Sequence, residues 1–457
     1  MKIKALFSLL LVAVMLFSLC GCSGGKGGSK EGGESAKVDL NALVKEGSTP
    51  VEEGLDLEGK TITYAIGLQL NSNMQRQLLA FEKKYKCEVE TDLLGYEDYV
   101  QLLASRMAGG KSYDIVQIEG VRFPSMAISN LAEPLENVIT SADWAGEDYT
   151  KGGLAKDDTL AMVWGDHLYA VVPVQGEFSA KVGFIVYNKK IFEAAGADDP
   201  RELYEAGKWN WDAFKAAGEK IKKNTDAYIT GYRHLNTILG YNREKPFDPY
   251  NPTSGLSDPG NIEKYNIMQE LCVGGNPIVG TKDVGDHTAG AFYEGKIAMF
   301  PANVYDLSDN NKLGEGVEGS NAFDKNLANM GIVPHLQGPN NKEEIYQCGW
   351  TYGIGAGKGT SDPRIAMAFA KHGANYATID KAGQYKFNAE DTELINKLQQ
   401  CKKYSDSHCF SDGSNIDYTL KHQFTWRIVS GDDVAQAVAT YDAQIQNCID
   451  VMMAQEQ

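Results

Sequence analysis

The sequence predicts an α/β fold with more than one core. Two observations carry this. Residues 61–118 read strand, helix, strand, helix, strand, a pattern that builds a parallel sheet with helices on both faces. The chain has 457 residues, and about 400 of them follow the leader and tether at its N-terminus, too many for one ordinary core, so two domains are expected.

Each element has its own signal. Residues 61–66 (Thr-Ile-Thr-Tyr-Ala-Ile) are β-prone and end at Gly67. Met74, Leu78, Phe81 and Tyr85 follow at spacings of four, three and four, a helical stripe. Residues 87–91 read as a second strand. Tyr99, Val100, Leu103 and Met107 mark a second helix, stopped by Gly109-Gly110. Residues 113–118 form the third strand. Ligands of such sheets bind beyond the carboxyl ends of the strands, which puts residues 67–73 and 119–123 in view. Further strands are expected at 167–174, 182–187, 296–301, 331–333 and 352–354, and helices at 189–195 and 211–221. Residues 241–261 hold four prolines and read as a long loop. The chain is mostly helical from Pro363 onward.

The N-terminus reads as an export signal. Lys2 and Lys4 precede an apolar run over 5–19, shorter than the roughly 20 residues a membrane span needs. The run ends in Leu19-Cys20-Gly21-Cys22. Residues 23–35 are Gly, Ser, Lys and Glu, with no apolar side chain to offset ordering entropy, so they read as a flexible tether. No second apolar run of about 18 residues occurs.

The formal charge is −17. Such a chain is repelled by nucleic acid and by anionic membrane surface. Beyond Cys20 and Cys22, the cysteines Cys87, Cys272, Cys348, Cys401, Cys409 and Cys448 are scattered, which is no disulfide scaffold. Cys401 and Cys409 are close enough in sequence either to pair or to remain free thiols. No C-x-x-C, H-E-x-x-H or G-x-S-x-G occurs, and the seven histidines are dispersed. Ala108-Gly109-Gly110-Lys111-Ser112 has Ser105 where a phosphate loop needs its first glycine, and a helix before it where that loop needs a strand. Residues 353–359 are glycine-rich but lack the dinucleotide fingerprint. They read as a strand leaving into a turn.

Aromatic residues make up 10% of the chain, enough to wall a pocket that stacks on sugar rings while a few polar groups take the hydroxyls. Trp164, Tyr232, Tyr305, Trp350, Tyr352 and Trp426 stand at strand ends or in loops. Core packing is the competing role for each.

Two resemblances follow from these residues. Leu19-Cys20-Gly21-Cys22 resembles the lipobox of bacterial lipoproteins. That implies cleavage after residue 21, acylation of Cys22 and anchoring on the outer face of the cell membrane. Residues 81–85, 102–116, 131–135, 169–173, 186–196, 209–214 and 292–299, with Gly349-Trp350, together resemble the extracellular solute-binding proteins of bacterial ABC importers. The resemblance is to their sugar and oligosaccharide-binding group, which includes maltose-binding protein, and it covers nearly the whole mature chain.

The resemblance implies a two-lobe periplasmic-binding-protein-like α/β fold, with parallel-rich sheets flanked by helices and a ligand cleft between the lobes. The expected division is a signal at 1–21, a tether at 22–56, one lobe at 57–173 plus 303–360, and the other at 174–302 plus 361–457. It implies a monomeric carbohydrate receptor that closes on its ligand and delivers it to a membrane permease. No catalysis, cofactor, metal or nucleic acid is implied, and only the lipid anchor touches membrane. By position the ligand contacts are Asn71, Asn73, Glu119, Arg122, Gln175, Glu177, Tyr232, Tyr305, Trp350 and Trp426. Two other readings stay open. One is a surface glycoside hydrolase, which needs two carboxylates about 5–10 Å apart. The other is a receptor for a peptide, polyamine or iron.

Overall fold

The computed structural model describes residues 40–67, 72–95, 98–123, 125–144, 153–159, 162–173, 182–239, 247–248, 251–281, 290–303, 329–336, 347–348, 352–380, 388–399, 403–404 and 423–454. The chain begins its first sheet with β1 (Thr61–Ile66), α1 (Ser72–Tyr85), β2 (Glu88–Leu93), α2 (Tyr99–Ala108) and β3 (Ile115–Glu119). β1 pairs in parallel with β2 through Thr61↔Glu88 to Ile66↔Leu93, and with β3 through Tyr64↔Ile115. The α1 stripe packs as its spacing requires: Leu78 and Phe81 are buried with Ile62, Tyr64 and Ile66. A two-residue strand, β4 (Ala132–Glu133), closes one edge.

The second sheet centres on β5 (Gly183–Asn188), whose first five residues are buried. Asn188 ends the strand and caps α3 (Lys189–Ala195), its side chain accepting from the backbone N–H groups of Lys190 and Ile191. Gly196 ends that helix at φ 63°, where a side chain would be strained. α4 (Trp211–Asn224) is capped by Asn210. Then come β6 (Thr230–Gly231), α5 (Tyr232–Leu239), α6 (Pro259–Val273), β7 (Val279–Gly280), β8 (Met299–Asn303) and β9 (Met330–Val333). β5 lies between β8 and β9, antiparallel to both. β6 and β7 pair in parallel.

The chain then returns to the first sheet. β10 (Tyr352–Gly357) inserts between β3 and β4, giving the order β2-β1-β3-β10-β4. It runs antiparallel to both neighbours, with Tyr352 opposite Glu119 and Ala356 opposite Glu133. Val171 and Ile354 exchange backbone hydrogen bonds of 3.0 and 2.8 Å. Its glycines are set by close approach. A Cβ on Gly355 would lie 2.7 Å from the Tyr169 carbonyl oxygen, and one on Gly357 would lie 2.4 Å from that of Tyr113. The helices α7 (Arg364–Asp380), α8 (Ala389–Gln399), α9 (Thr425–Val429) and α10 (Val434–Met453) complete the chain.

The architecture is the expected two-lobe α/β fold, but its sheets are mixed rather than parallel-rich: every pair made by β10, and both pairs of β5, are antiparallel. Three boundaries also move. Residues 40–56, expected in the tether, are packed. Leu40 and Val44 are buried, and Lys371 Nζ on α7 lies 2.8 Å from both Glu52 and Asp143. Asp143 also accepts from the backbone of Val51 and Thr140. β9, expected in the first lobe, belongs to the β5 sheet. α7, expected in the second lobe, packs on the first sheet, where Phe369 meets Tyr64 and Phe81 at 5.1 and 5.2 Å between ring centroids.

Because the groups opposing β10 are backbone atoms that cannot swing aside, Gly357→Ala is expected to cost about 1–3 kcal/mol. The readout is the midpoint of urea unfolding, with Gly359→Ala, at φ 82° but with no atom within 4 Å, separating backbone strain from collision.

Candidate functional site

A polar cluster forms where β1 and β3 end. β3 is an apolar strand broken by Gln117 and Glu119. Gln117 Oε1 accepts from the backbone N–H of Gly67 at 3.1 Å and so ties the two strand ends together. Glu119 starts the turn Gly120–Arg122, which brings Arg122 Nε back to 3.4 Å from Glu119 Oε2. Both residues are 2% exposed. The guanidinium carbon of Arg122 lies 5.4 Å from the centroid of the Tyr99 ring. Burial, then the neighbouring Tyr64, holds the Tyr99 phenol well above its ordinary range. It therefore stays protonated and donates to the Ala65 carbonyl at 3.2 Å. A Cβ on Gly67 would lie 3.0 Å from both Arg122 and Tyr99, so glycine lets the strand end pass over the guanidinium.

The second group lies in the other sheet's lobe. Tyr232 opens α5 directly after β6 and is 5% exposed. Trp426, in α9, meets it edge to face at 5.9 Å between centroids. Trp426 is half-buried, so of the two rings it offers the more open surface. Arg233 Nε donates to the Tyr232 hydroxyl at 2.9 Å.

The structure therefore brings Glu119 to Arg122, and Tyr232 to Trp426. Asn73 lies in the first turn of α1, its side chain outside the described ones. Asn71, Gln175, Glu177, Tyr305 and Trp350 lie outside the described residues, as do Cys22, Cys401 and Cys409. Trp164 is buried in the hairpin of residues 163–168 and is core. Sequence reasoning missed Tyr99, Gln117 and Arg233. Gln117 did leave a signal, a polar residue inside an apolar strand. At the opposite end of the first sheet, Gly110 and Lys111 line a cavity of about 460 Å³. Lys111 there is bonded to Asp92 at 2.9 Å, which removes the cation a phosphate loop would need.

The sequence profile of the bacterial extracellular solute-binding proteins matches residues 65–378. The chain belongs to that family. No curated protein sequence matches this solute-binding protein, but its fold is shared by many solved structures. The GacH receptor of Streptomyces glaucescens, solved unliganded and with acarbose, is 17% identical at a TM-score of 0.58, over 85% of this chain and 99% of that one. An ABC substrate-binding protein of Listeria monocytogenes, in complex with cycloalternan, gives the same four values. An extracellular solute-binding protein of Staphylococcus aureus, in complex with maltose, is 15% identical at 0.59, over 86% and 98%. The family is one of binding proteins, not enzymes. Among the described residues no group of three or more His, Cys, Asp or Glu is placed to hold a metal, and no helix is long and apolar enough to cross a membrane.

The Glu119–Arg122 pair has little water to fall back on. Arg122→Met should cost about 3–5 kcal/mol by leaving a buried carboxylate uncompensated, and adding Glu119→Leu should recover much of the loss. Urea unfolding of the two single variants and the double variant measures this coupling.

Proposed function

We propose that this solute-binding protein is a lipid-anchored extracytoplasmic receptor for a carbohydrate, which it delivers as a monomer to an ABC-transporter permease. The observation that carries the reading is the Tyr232–Trp426 pair, an aromatic platform at the start of a helix and the end of a short strand. Sugar rings present C–H faces to such a platform, and their hydroxyls need polar groups held in place beforehand. Gln117, bonded to the Gly67 backbone, and the Glu119–Arg122 ion pair are of that kind. The likeness to proteins solved with acarbose, cycloalternan and maltose supports the same ligand class.

In this proposal the first lobe comprises residues 40–173, 352–357 and α7, and the second comprises 182–303, β9 and the helices from α8 onward. Asn71, Asn73, Gln175, Glu177, Tyr305 and Trp350 complete the cleft. Cys22 carries the lipid, and the tether runs from there to Leu40.

A sugar present at a hundredfold excess over its Kd should stabilise the protein by about 2.7 kcal/mol. A thermal-shift panel of mono- and oligosaccharides, amino acids, peptides, polyamines and iron is the test. A shift only with a ligand that is not a sugar overturns the carbohydrate reading, and turnover of a chromogenic glycoside replaces it with hydrolysis. Trp426→Ala should weaken sugar binding about tenfold while leaving the unliganded melting midpoint near that of the parent.

Cys22→Ser should move the protein from the membrane fraction to the medium or periplasm. Cell fractionation and labelling with a clickable fatty acid read this out, and a variant that stays membrane-bound removes the anchor from the proposal.

A further inference from the structure

We infer that the ligand is an acidic sugar, one whose carboxylate is read by Arg233. This rests on the carbohydrate reading above and adds a charge to it. The chain carries 61 acidic against 44 basic residues, so an arginine in it easily finds a carboxylate. Arg106, Arg122, Arg201, Arg364 and Arg427 each have one at 3.4 Å or less. Arg233 departs from this. Its Nε donates to the Tyr232 hydroxyl, its guanidinium carbon lies 5.7 Å from that ring's centroid, and among the described residues no carboxylate pairs with it. The side chain is half-buried.

A guanidinium presents five N–H donors in a rigid fork. With Nε taken by a phenol, its outer pair of nitrogens keeps the geometry that binds a carboxylate through two parallel hydrogen bonds. The phenol fixes the direction of the fork without neutralising it. Arg233 is thus a full positive charge fastened to the ring against which Trp426 packs. The other arginine at this platform, Arg427, is already paired to Asp432 Oδ2 at 2.6 Å. The overall negative charge of the chain does not argue against an anionic ligand, because at physiological salt charges more than about 8 Å away are largely screened. The nearby guanidinium then dominates. A neutral sugar would leave this fork facing water. A uronate would use it.

The test compares trigalacturonate with galactotriose and maltotriose on the full chain, by thermal shift and calorimetry. Trigalacturonate should bind and raise the melting midpoint. Its affinity should fall with added salt, fall about tenfold or more in Arg233→Gln, and fall less in Arg233→Lys, which keeps the charge but not the fork. Neutral trimers that bind as well as the acidic one, equally in parent and Arg233→Gln, overturn the acidic-ligand inference and leave the carbohydrate reading standing. If no trimer of either kind binds, the acidic-ligand inference falls, and the wider panel above decides the carbohydrate reading. Should Arg233→Gln fail to fold, the salt dependence and Arg233→Lys decide: acidic-trimer binding indifferent to both overturns the inference.

Discussion

The insertion of β10 between β3 and β4 is the constraint on which the rest of the structure depends. It places Tyr352 opposite Glu119, so the carboxyl end of β3, where the polar cluster forms, is walled by a strand made late in the chain. The insertion is narrow. Ile118 and the Tyr169 carbonyl crowd it at Gly355, and the Tyr113 backbone crowds it at Gly357. Glycine is a poor strand former in general, yet at these positions any side chain would separate strands that must hydrogen-bond. Antiparallel entry follows from direction: the chain comes back from the second sheet and runs toward the end of the first sheet where β3 begins. Each lobe is then discontinuous. The first sheet stays incomplete until residue 357 is in place, a non-local closure whose loop entropy is met by extensive burial.

The second organising feature is how an acidic chain places its charges. Lys371 is held between Glu52 and Asp143, and this fastens the N-terminal segment to α7 and to the turn at Asp143. Arg201 reaches Glu205, Asp391 and the Ile332 carbonyl, joining the helix Pro200–Glu205 to β9 and α8. Asp391 still has its pKa raised, because burial outweighs the attraction of Arg201. These are structural cations, each spent on a contact between distant segments. Arg122 is buried with its partner inside one turn, which orients it and limits its travel. Arg233 alone among the arginines discussed is oriented by a neutral group.

Much of the fold was legible in the sequence because its signals are local. The Met74, Leu78, Phe81, Tyr85 stripe gave α1, and the β-prone run of residues 61–66 gave β1 with its observed ends. Asn188 and Gly196 bracket α3 as cap and stop. What was missed depends on distant partners. Residues 40–56 contain Gly47, Pro50 and Gly54 and read as tether. Asp143 and Lys371 order them from far along the chain, and no local pattern reveals that. β10 looked three residues shorter than it is, since its glycines carry no strand signal. Part of the loop expected over 241–261 is a hairpin, with Asn251 opposite Asp248, and α6 begins inside that span at Asp258-Pro259, a helix start that the sequence did display. For the candidate site, the sequence pointed to Glu119, Arg122, Tyr232 and Trp426 by position alone. It could not show that they form one ion pair and one edge-to-face ring pair.

That pairing bears on how such a receptor would discriminate. In the first lobe Gln117, Glu119, Arg122 and Tyr99 are already held by the strand ends, so a ligand that meets them does not have to order them, and less of its binding energy is lost to conformational entropy. In the second lobe Trp426 is more open and Tyr232 is oriented by Arg233. A ligand that touches only one lobe gains little from closure. One that touches both shifts the population toward the closed form by its differential contacts. Specificity then falls to the groups whose requirements are hardest to meet by accident. Aromatic faces accept most sugar rings, whereas a fixed guanidinium fork accepts few chemical partners well. If Arg233 reads charge as proposed, it would separate ligands that the proposed stacking surface treats alike.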